Sequence, residues 1–264
     1  FFFGMERVLE PLVKGELPPR DSGPIDERGS NAFAVTAARS GDATTRLIIN
    51  SHQPWAGGVT WWELVVHSDE GWDFAGANFP GAPFPLLGHN KNLGWANTVN
   101  RPDLIDVYKL TLNADRTQYR LDGKWLPLEA KRVWLRVKFG PLVLPVPRTV
   151  YRSRHGMVIV NDRGAFAIRH AGIGEVAQVE QYYRLNKAQN FAEWQAVMAM
   201  QAVPATNFVY ADRDGHVAMV YNAKFPDRRP GFDWKGVLPG DTSATLWTGY
   251  KSWVAYPKVV DPAS

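Results

Sequence analysis

The sequence predicts an α+β fold in which short antiparallel strands dominate and a few helices pack beside them. Three observations lead there. From Ser30 onward, runs of β-branched and aromatic residues recur between turn residues, at 32–38, 46–50, 62–68, 93–99, 104–112 and 132–138. Asp122-Gly123 separates Tyr119-Arg120-Leu121 from Lys124-Trp125-Leu126, and such a pair supplies the positive φ angles of a tight hairpin turn. Beyond Ser30, helical spacing is concentrated in 175–202.

The elements follow in order. A short helix is expected at 5–13. After it, Pro18-Pro19 and Asp21-Ser22-Gly23-Pro24 read as a linker, rich in residues that break regular structure. Past the hairpin, strands continue at 150–153, 157–160 and 165–170. The helix at 175–185 aligns Val176, Val179, Tyr182 and Tyr183 at three- and four-residue steps. The helix at 191–202 places Phe191, Trp194, Val197, Met198 and Gln201 on one face, with Asn190 as N-cap and Glu193 near capping-box position. A last hairpin joins 208–211 to 216–221, and Pro- and Gly-rich loops fill much of 225–240.

Composition bounds the function. With 264 residues, 45% hydrophobic and 11 Trp, the chain has apolar material for a real core. Its net charge of +4 is scattered in short groups, without the basic run or aromatic-basic motif of a nucleic-acid binder. The absence of Cys excludes disulfides, thiolate nucleophiles and Cys-based zinc sites. No apolar stretch reaches the roughly 18–20 residues that span a bilayer. The start, Phe1-Phe2-Phe3-Gly4-Met5, has neither an initiator Met nor the order of a signal peptide, and the sequence reads as the interior of a longer protein.

Two familiar motifs lead nowhere. Gly172-Ile173-Gly174-Glu175-Val176-Ala177 matches a dinucleotide loop, but the preceding Phe166-Ala167-Ile168-Arg169-His170 alternates with charge, unlike a Rossmann strand buried on both faces. The six His, at 52, 67, 89, 155, 170 and 216, stand singly, with no zinc-protease or nucleophile-elbow signature.

The junction Arg28-Gly29-Ser30-Asn31-Ala32-Phe33 is different. A polar, turn-prone stretch gives way at once to an apolar, strand-like run. Gly-Ser-Asn is ordinary turn chemistry. It is also where a cut would expose Ser30 as a new N-terminus, whose α-amine (pKa about 7.7–8.0) is the base that a serine hydroxyl needs.

Several motifs beyond the junction resemble the penicillin acylase family of N-terminal nucleophile hydrolases, and within it the acyl-homoserine lactone acylases most closely. Ser30-Asn31-Ala32-Phe33-Ala34-Val35 is similar to the mature β-chain start, and Asn50-Ser51-His52-Gln53-Pro54-Trp55 to the family's N-P-H-F-P-W. Leu93-Gly94-Trp95-Ala96-Asn97-Thr98-Val99 resembles the oxyanion-hole segment. Asn207-Phe208-Val209-Tyr210-Ala211-Asp212, Leu238-Pro239-Gly240 and Trp247-Thr248-Gly249-Tyr250 follow in the family's order.

The resemblance implies a four-layer αββα fold, present in part. It implies that residues 1–29 are the end of an α-chain plus spacer, and that 30–264 are the first, incomplete part of a catalytic β-chain. The implied activity is hydrolysis of N-acyl amides, on acyl-homoserine lactones or related compounds. The alternatives are a β-lactam side-chain acylase with aromatic acyl preference, or a structural fragment without catalysis. In the implied mechanism Ser30 attacks the acyl carbonyl after cleavage at Gly29-Ser30, His52 orients it, and the Val99 N–H binds the oxyanion.

A second oxyanion donor, an asparagine, is expected past the end of this sequence, and Asn207 is expected to be structural. Gln53, Phe79, Phe84 and Tyr182 stand at acyl-pocket positions, although Phe79 and Phe84 also suit a plain core. Gln53 departs from the Phe common there, and Ala205 is small where some lactone acylases carry Trp. Asp103 and Asp106 resemble a carboxylate pair that binds a structural Ca²⁺, whose other ligands would come from the α-chain; they equally suit two exposed or salt-bridged acids. No cofactor is implied for catalysis. The implied partners are a small N-acyl substrate and the α-chain of the same precursor, and the implied location is periplasmic or secreted.

Overall fold

The computed structural model describes residues 5–17 and 29–263. The linker motifs Pro18-Pro19 and Asp21-Ser22-Gly23-Pro24 lie outside the described residues. Helix α1 spans Met5–Val13, strand β1 Ser30–Val35, helix α2 Ala37–Ser40 and strand β2 Arg46–Ser51. Then come β3 (Trp62–Ser68), β4 (Trp72–Asn78), β5 (Leu87–His89), β6 (Leu93–Thr98) and β7 (Ile105–Leu110). The β8 (Gln118–Leu121) and β9 (Lys124–Pro127) hairpin turns at Asp122 and Gly123, whose φ angles are +48° and +76°.

Strands β10 (Glu129–Phe139), β11 (Leu142–Ser153), β12 (Gly156–Asn161) and β13 (Gly164–His170) precede helices α3 (Gln178–Lys187) and α4 (Phe191–Met198). The remaining strands are β14 (Ala205–Asp212), β15 (Val217–Ala223), β16 (Pro226–Asp227), β17 (Val237–Pro239), β18 (Gly249–Tyr250) and β19 (Lys258–Val260). Two sheets organise them. One has the order β19-β15-β14-β6-β5-β4-β3, the other β10-β11-β12-β13-β7-β17. All pairings are antiparallel except β17 beside β7.

Alternation along β14 and β6 decides what each face of the first sheet meets. Phe208 and Tyr210 share a face with Trp95, and Trp194 of α4 packs on Phe208 and Tyr210 with ring centroids 6.1 and 4.7 Å apart. Gly94 and Ala96 point the other way, and there the β1–β2 ribbon lies against β6 and β14. A Cβ on Gly94 would come within 3.2 Å of Leu47 Cδ2 and 2.8 Å of the Gly88 carbonyl oxygen, so glycine is what lets the ribbon approach. Helices, sheet and ribbon thus stack in the order of the expected layering. The ribbon's outer face leaves Phe33 and Ile48 exposed.

Several boundaries differ from the sequence pattern. The hairpin β10–β11 is far longer than the runs 132–138 and 150–153 suggested, because Pro145 and Pro147 interrupt the pattern without ending the strand. Along that stretch β11 pairs only with β10; β12 joins it at Tyr151–Ser153, so the prolines' missing N–H groups cost no second ladder. Helix α3 starts three residues later than the apolar spacing suggested, while α4 stops at Met198. Asn190 caps α4 as expected: its Oδ1 accepts from the Glu193 N–H at 2.9 Å, and the Glu193 carboxylate accepts from the Gln189 N–H.

The dinucleotide reading fails for a different reason than its sequence context suggested. Strand β13 is largely buried, yet it runs antiparallel to both β12 and β7, so no parallel β-α-β unit surrounds Gly172. Helix α1 packs on this second sheet. Leu12 is fully buried against Val107, Phe166 and Ile168, and Asn161 Nδ2 and Arg163 Nε donate to the Leu12 and Gly15 carbonyls at 2.9 and 2.7 Å. Among the described residues, no helix is long and apolar enough to cross a membrane.

Candidate active site

Ser30 opens β1 and pairs with Ser51 of β2. The two-residue period of the ribbon puts Ser30 and Ser51 on its sheet-facing side, and Asn31, Asn50 and His52 on its outer side. The Gly29 carbonyl is the focus of this corner. It accepts the Ser30 hydroxyl at 2.7 Å and the His52 backbone N–H at 3.2 Å. The His52 ring instead meets amides: Nε2 lies 3.5 Å from Asn31 Nδ2 and 3.4 Å from Asn50 Nδ2. His52 therefore reaches the junction through its main chain.

A cavity of about 350 Å³ adjoins Ser30. Val99 and all four residues expected at acyl positions, Gln53, Phe79, Phe84 and Tyr182, line it together with Ser30. Phe84 and Tyr182 stack with centroids 5.9 Å apart. Burial among these apolar groups pushes the Tyr182 hydroxyl's pKa up, so that it stays a neutral phenol.

The segment around Val99 is braced from β14. Asn207 Nδ2 donates to Thr98 Oγ1 at 3.0 Å and to the Val99 carbonyl at 3.3 Å, and Thr206 Oγ1 donates to the Thr98 carbonyl at 3.0 Å. That is a structural part for Asn207, as the sequence suggested.

Sequence reasoning missed Trp61. Its indole stacks on Phe79 at 4.0 Å and its N–H bonds to Ser51 Oγ, the residue paired with Ser30. The signal was slight, since Trp61 precedes β3 in a loop and belongs to no alternating pattern.

Asp103 and Asp106 do come together, on the segment that leads from Val99 into β7. Between them lies Arg228: Nε donates to Asp106 Oδ2 at 2.9 Å, Nη1 to Asp103 Oδ2 at 2.8 Å, and Nη2 to the Asp103 carbonyl at 3.1 Å. The Trp247 indole N–H also donates to Asp106 Oδ2. Burial pushes the Asp106 carboxyl up to about 6, against the opposing pull of Arg228. Among the described residues, no group of three or more His, Cys, Asp or Glu is placed to hold a metal ion. These two carboxylates, already bonded by Arg228 and Trp247, do not by themselves complete a calcium sphere, which takes about 6–8 oxygens.

A family model described as Penicillin amidase matches residues 5–264. This chain belongs to the penicillin amidase family. Within that family it is similar to the acyl-homoserine lactone acylase PvdQ of Pseudomonas fluorescens strain Pf0-1, 33% identical over 242 residues, covering 84% of this chain and 31% of that protein. It is also similar to penicillin G acylase of Escherichia coli, 30% identical over 241 residues, covering 89% of this chain and 28% of that protein. The solved thermostable penicillin G acylase from Alcaligenes faecalis superposes with a TM-score of 0.78 at 25% identity, covering 89% of this chain and 42% of that one. The family match bears out the N-terminal nucleophile hydrolase fold expected from the motifs. The chain spans under a third of the length of these two curated relatives.

Proposed function

We propose that the protein to which this chain belongs hydrolyses N-acyl amides, acyl-homoserine lactones or related linear acyl amides, with Ser30 as the nucleophile. The observation that carries this reading is the cavity shared by Ser30, Val99 and the four acyl-position residues. Its size favours a linear chain. A buried apolar cavity of about 150 Å³ already holds a benzene ring. The ≈ 350 Å³ here leaves room for an acyl chain well beyond one ring.

Maturation comes first. While Gly29 is joined to Ser30, the Ser30 nitrogen is an amide and cannot serve as a base. The Ser30 Oγ attacks the Gly29 carbonyl carbon, the C–N bond breaks, and the acyl group moves from nitrogen to oxygen. Water then hydrolyses the ester, freeing a Gly29 carboxylate and the Ser30 amine. The His52 N–H, 3.2 Å from the Gly29 oxygen, supports this step by stabilising the charge that develops there.

In turnover the free amine accepts the Ser30 hydroxyl proton as Oγ attacks the substrate carbonyl. The Val99 N–H donates to the oxyanion, an aligned donor worth about 2.7–4 kcal/mol. The acyl chain lies in the cavity, the amine product takes the proton and leaves, and water hydrolyses the acyl-enzyme. The partner in this reading is the segment before Gly29, retained after the cut as part of an α-chain, and the location is periplasmic or secreted.

A second reading, an aromatic-acyl acylase, is favoured by the two stacked ring pairs in the cavity wall, Trp61–Phe79 and Phe84–Tyr182. Purified full-length protein assayed on lactones of increasing acyl length beside penicillin G separates the two. A kcat/KM that rises with chain length supports the linear reading. Turnover of penicillin G alone overturns it.

A further inference from the structure

The resemblance placed a structural calcium on Asp103 and Asp106. We propose that the guanidinium of Arg228 holds that cation's position, so that the segment between Val99 and β7 is locked by an internal cation and this protein does not depend on calcium there.

Three of the oxygens that a hard cation could use here are already committed. Arg228 donates to Asp103 Oδ2, to the Asp103 carbonyl and to Asp106 Oδ2, and Trp247 donates to the same Asp106 oxygen. This is the use for which a planar fork of five donors is suited and a lysine ammonium is not. Of the pair's carboxylate oxygens, Asp106 Oδ1 is buried without a hydrogen-bond partner and Asp103 Oδ1 is outside the Arg228 fork. Two oxygens are far short of a calcium sphere.

Charge points the same way. Arg228 pairs with both carboxylates, and Arg169, the register partner of Asp106 across the β13–β7 pairing, lies over the Trp247 ring at 4.7 Å. A divalent cation would have to displace Arg228 or crowd against its guanidinium next to the fully buried Asp106 side chain.

Arg228 is itself held. Its side chain is 16% exposed and its guanidinium lies 5.6 Å from the Trp234 ring centroid. It follows directly on β16, so the clamp joins the loops of 226–250 to the strand that continues the proposed oxyanion segment. This inference does not depend on the acylase reading, because its readout is stability.

The test is thermal unfolding of the full-length protein in EDTA and in millimolar calcium. Coincident midpoints for the native protein are expected, with Arg228→Ala lowered by several degrees in EDTA and partly restored by calcium, which can then enter between the vacated carboxylates. A native midpoint that falls in EDTA and recovers in calcium overturns the proposal. So does an Arg228→Ala variant as stable as the native protein, or one indifferent to calcium. Should Arg228→Ala fail to fold, Arg228→Gln, which keeps the packed stem, takes its place. The native comparison decides even without either variant.

Discussion

Gly29 and His52 are joined main chain to main chain: the His52 N–H donates to the Gly29 carbonyl oxygen at 3.2 Å, and the Ser30 hydroxyl reaches the same oxygen at 2.7 Å. The relationship separates two parts that one residue could play, since the imidazole of His52 lies away among Asn31 and Asn50.

His52→Ala keeps the backbone donor and should still allow cleavage before Ser30. His52→Pro removes the N–H and should slow cleavage by about 10²–10³-fold, the loss typical of one oxyanion donor. Intact mass of full-length protein over time reads both, with Ser30→Ala as the uncut control. Equal processing of the Ala and Pro variants would show that the main-chain donor is irrelevant.

Trp61 lines the cavity beside Ser30, held by its stack on Phe79 and its bond to Ser51. Trp61→Ala should move the preferred acyl chain to greater length and cost the original best substrate about 10–200-fold in kcat/KM, the range of small changes in apolar pockets. A panel of acyl lengths compared before and after the substitution measures it. An unchanged length profile would remove Trp61 from the specificity site.

Leu12 anchors α1 to the second sheet, fully buried among Val107, Phe166 and Ile168. Leu12→Ala should destabilise the uncut protein by about 2–5 kcal/mol, the usual cost of a buried leucine. In the matured form it should weaken retention of the segment that carries α1. Urea unfolding measures the first effect and size-exclusion chromatography after cleavage the second; a native-like urea midpoint would contradict the packing.

His155 contributes to the pH dependence of stability. It is fully buried beside Tyr108 and Tyr119, and burial holds its pKa down at about 4, with Arg154 and Arg169 adding to the effect and Asp122 and the Thr242 backbone opposing it. The unfolded chain protonates this ring near 6.5, so its contribution is intact above that pH and is lost as pH falls toward about 4. The loss reaches roughly 3 kcal/mol. His155→Phe keeps a ring and removes the proton site. Its stability should fall less steeply across that interval, and parallel curves would refute the assignment.

Much of the strand order and both central helices were legible because they rest on local rules. Asp122-Gly123 makes its turn from backbone preference alone, and Asn190 with Glu193 caps a helix within a few residues. Strands β4 and β5 escaped notice because Asp73, Gly76 and Gly88 dilute their apolar pattern, although neighbouring strands pair with them on both sides. The span of β11 was hidden by Pro145 and Pro147, harmless only because that edge is unpaired.

The site divides in the same way. Ser30, Val99 and the residues expected at acyl positions follow from motif order, and one cavity is lined by all of them. Trp61 and Arg228 could not be named, because each acts on partners distant in sequence.

By itself, the sequence singled out candidates for chemistry: a serine behind a glycine at a turn-to-strand junction, a mostly apolar set of candidate pocket residues, and two nearby carboxylates. Tertiary structure alone decided which way each one points and what stands beside it. The ribbon's alternation turns Ser30 inward and the His52 ring outward, and Arg228 crosses from a distant loop to take up Asp103 and Asp106. The reason is physical. Backbone preference acts over a few residues, while orientation in a sheet and the partner of a buried charge follow from packing between segments that the chain brings together only when folded.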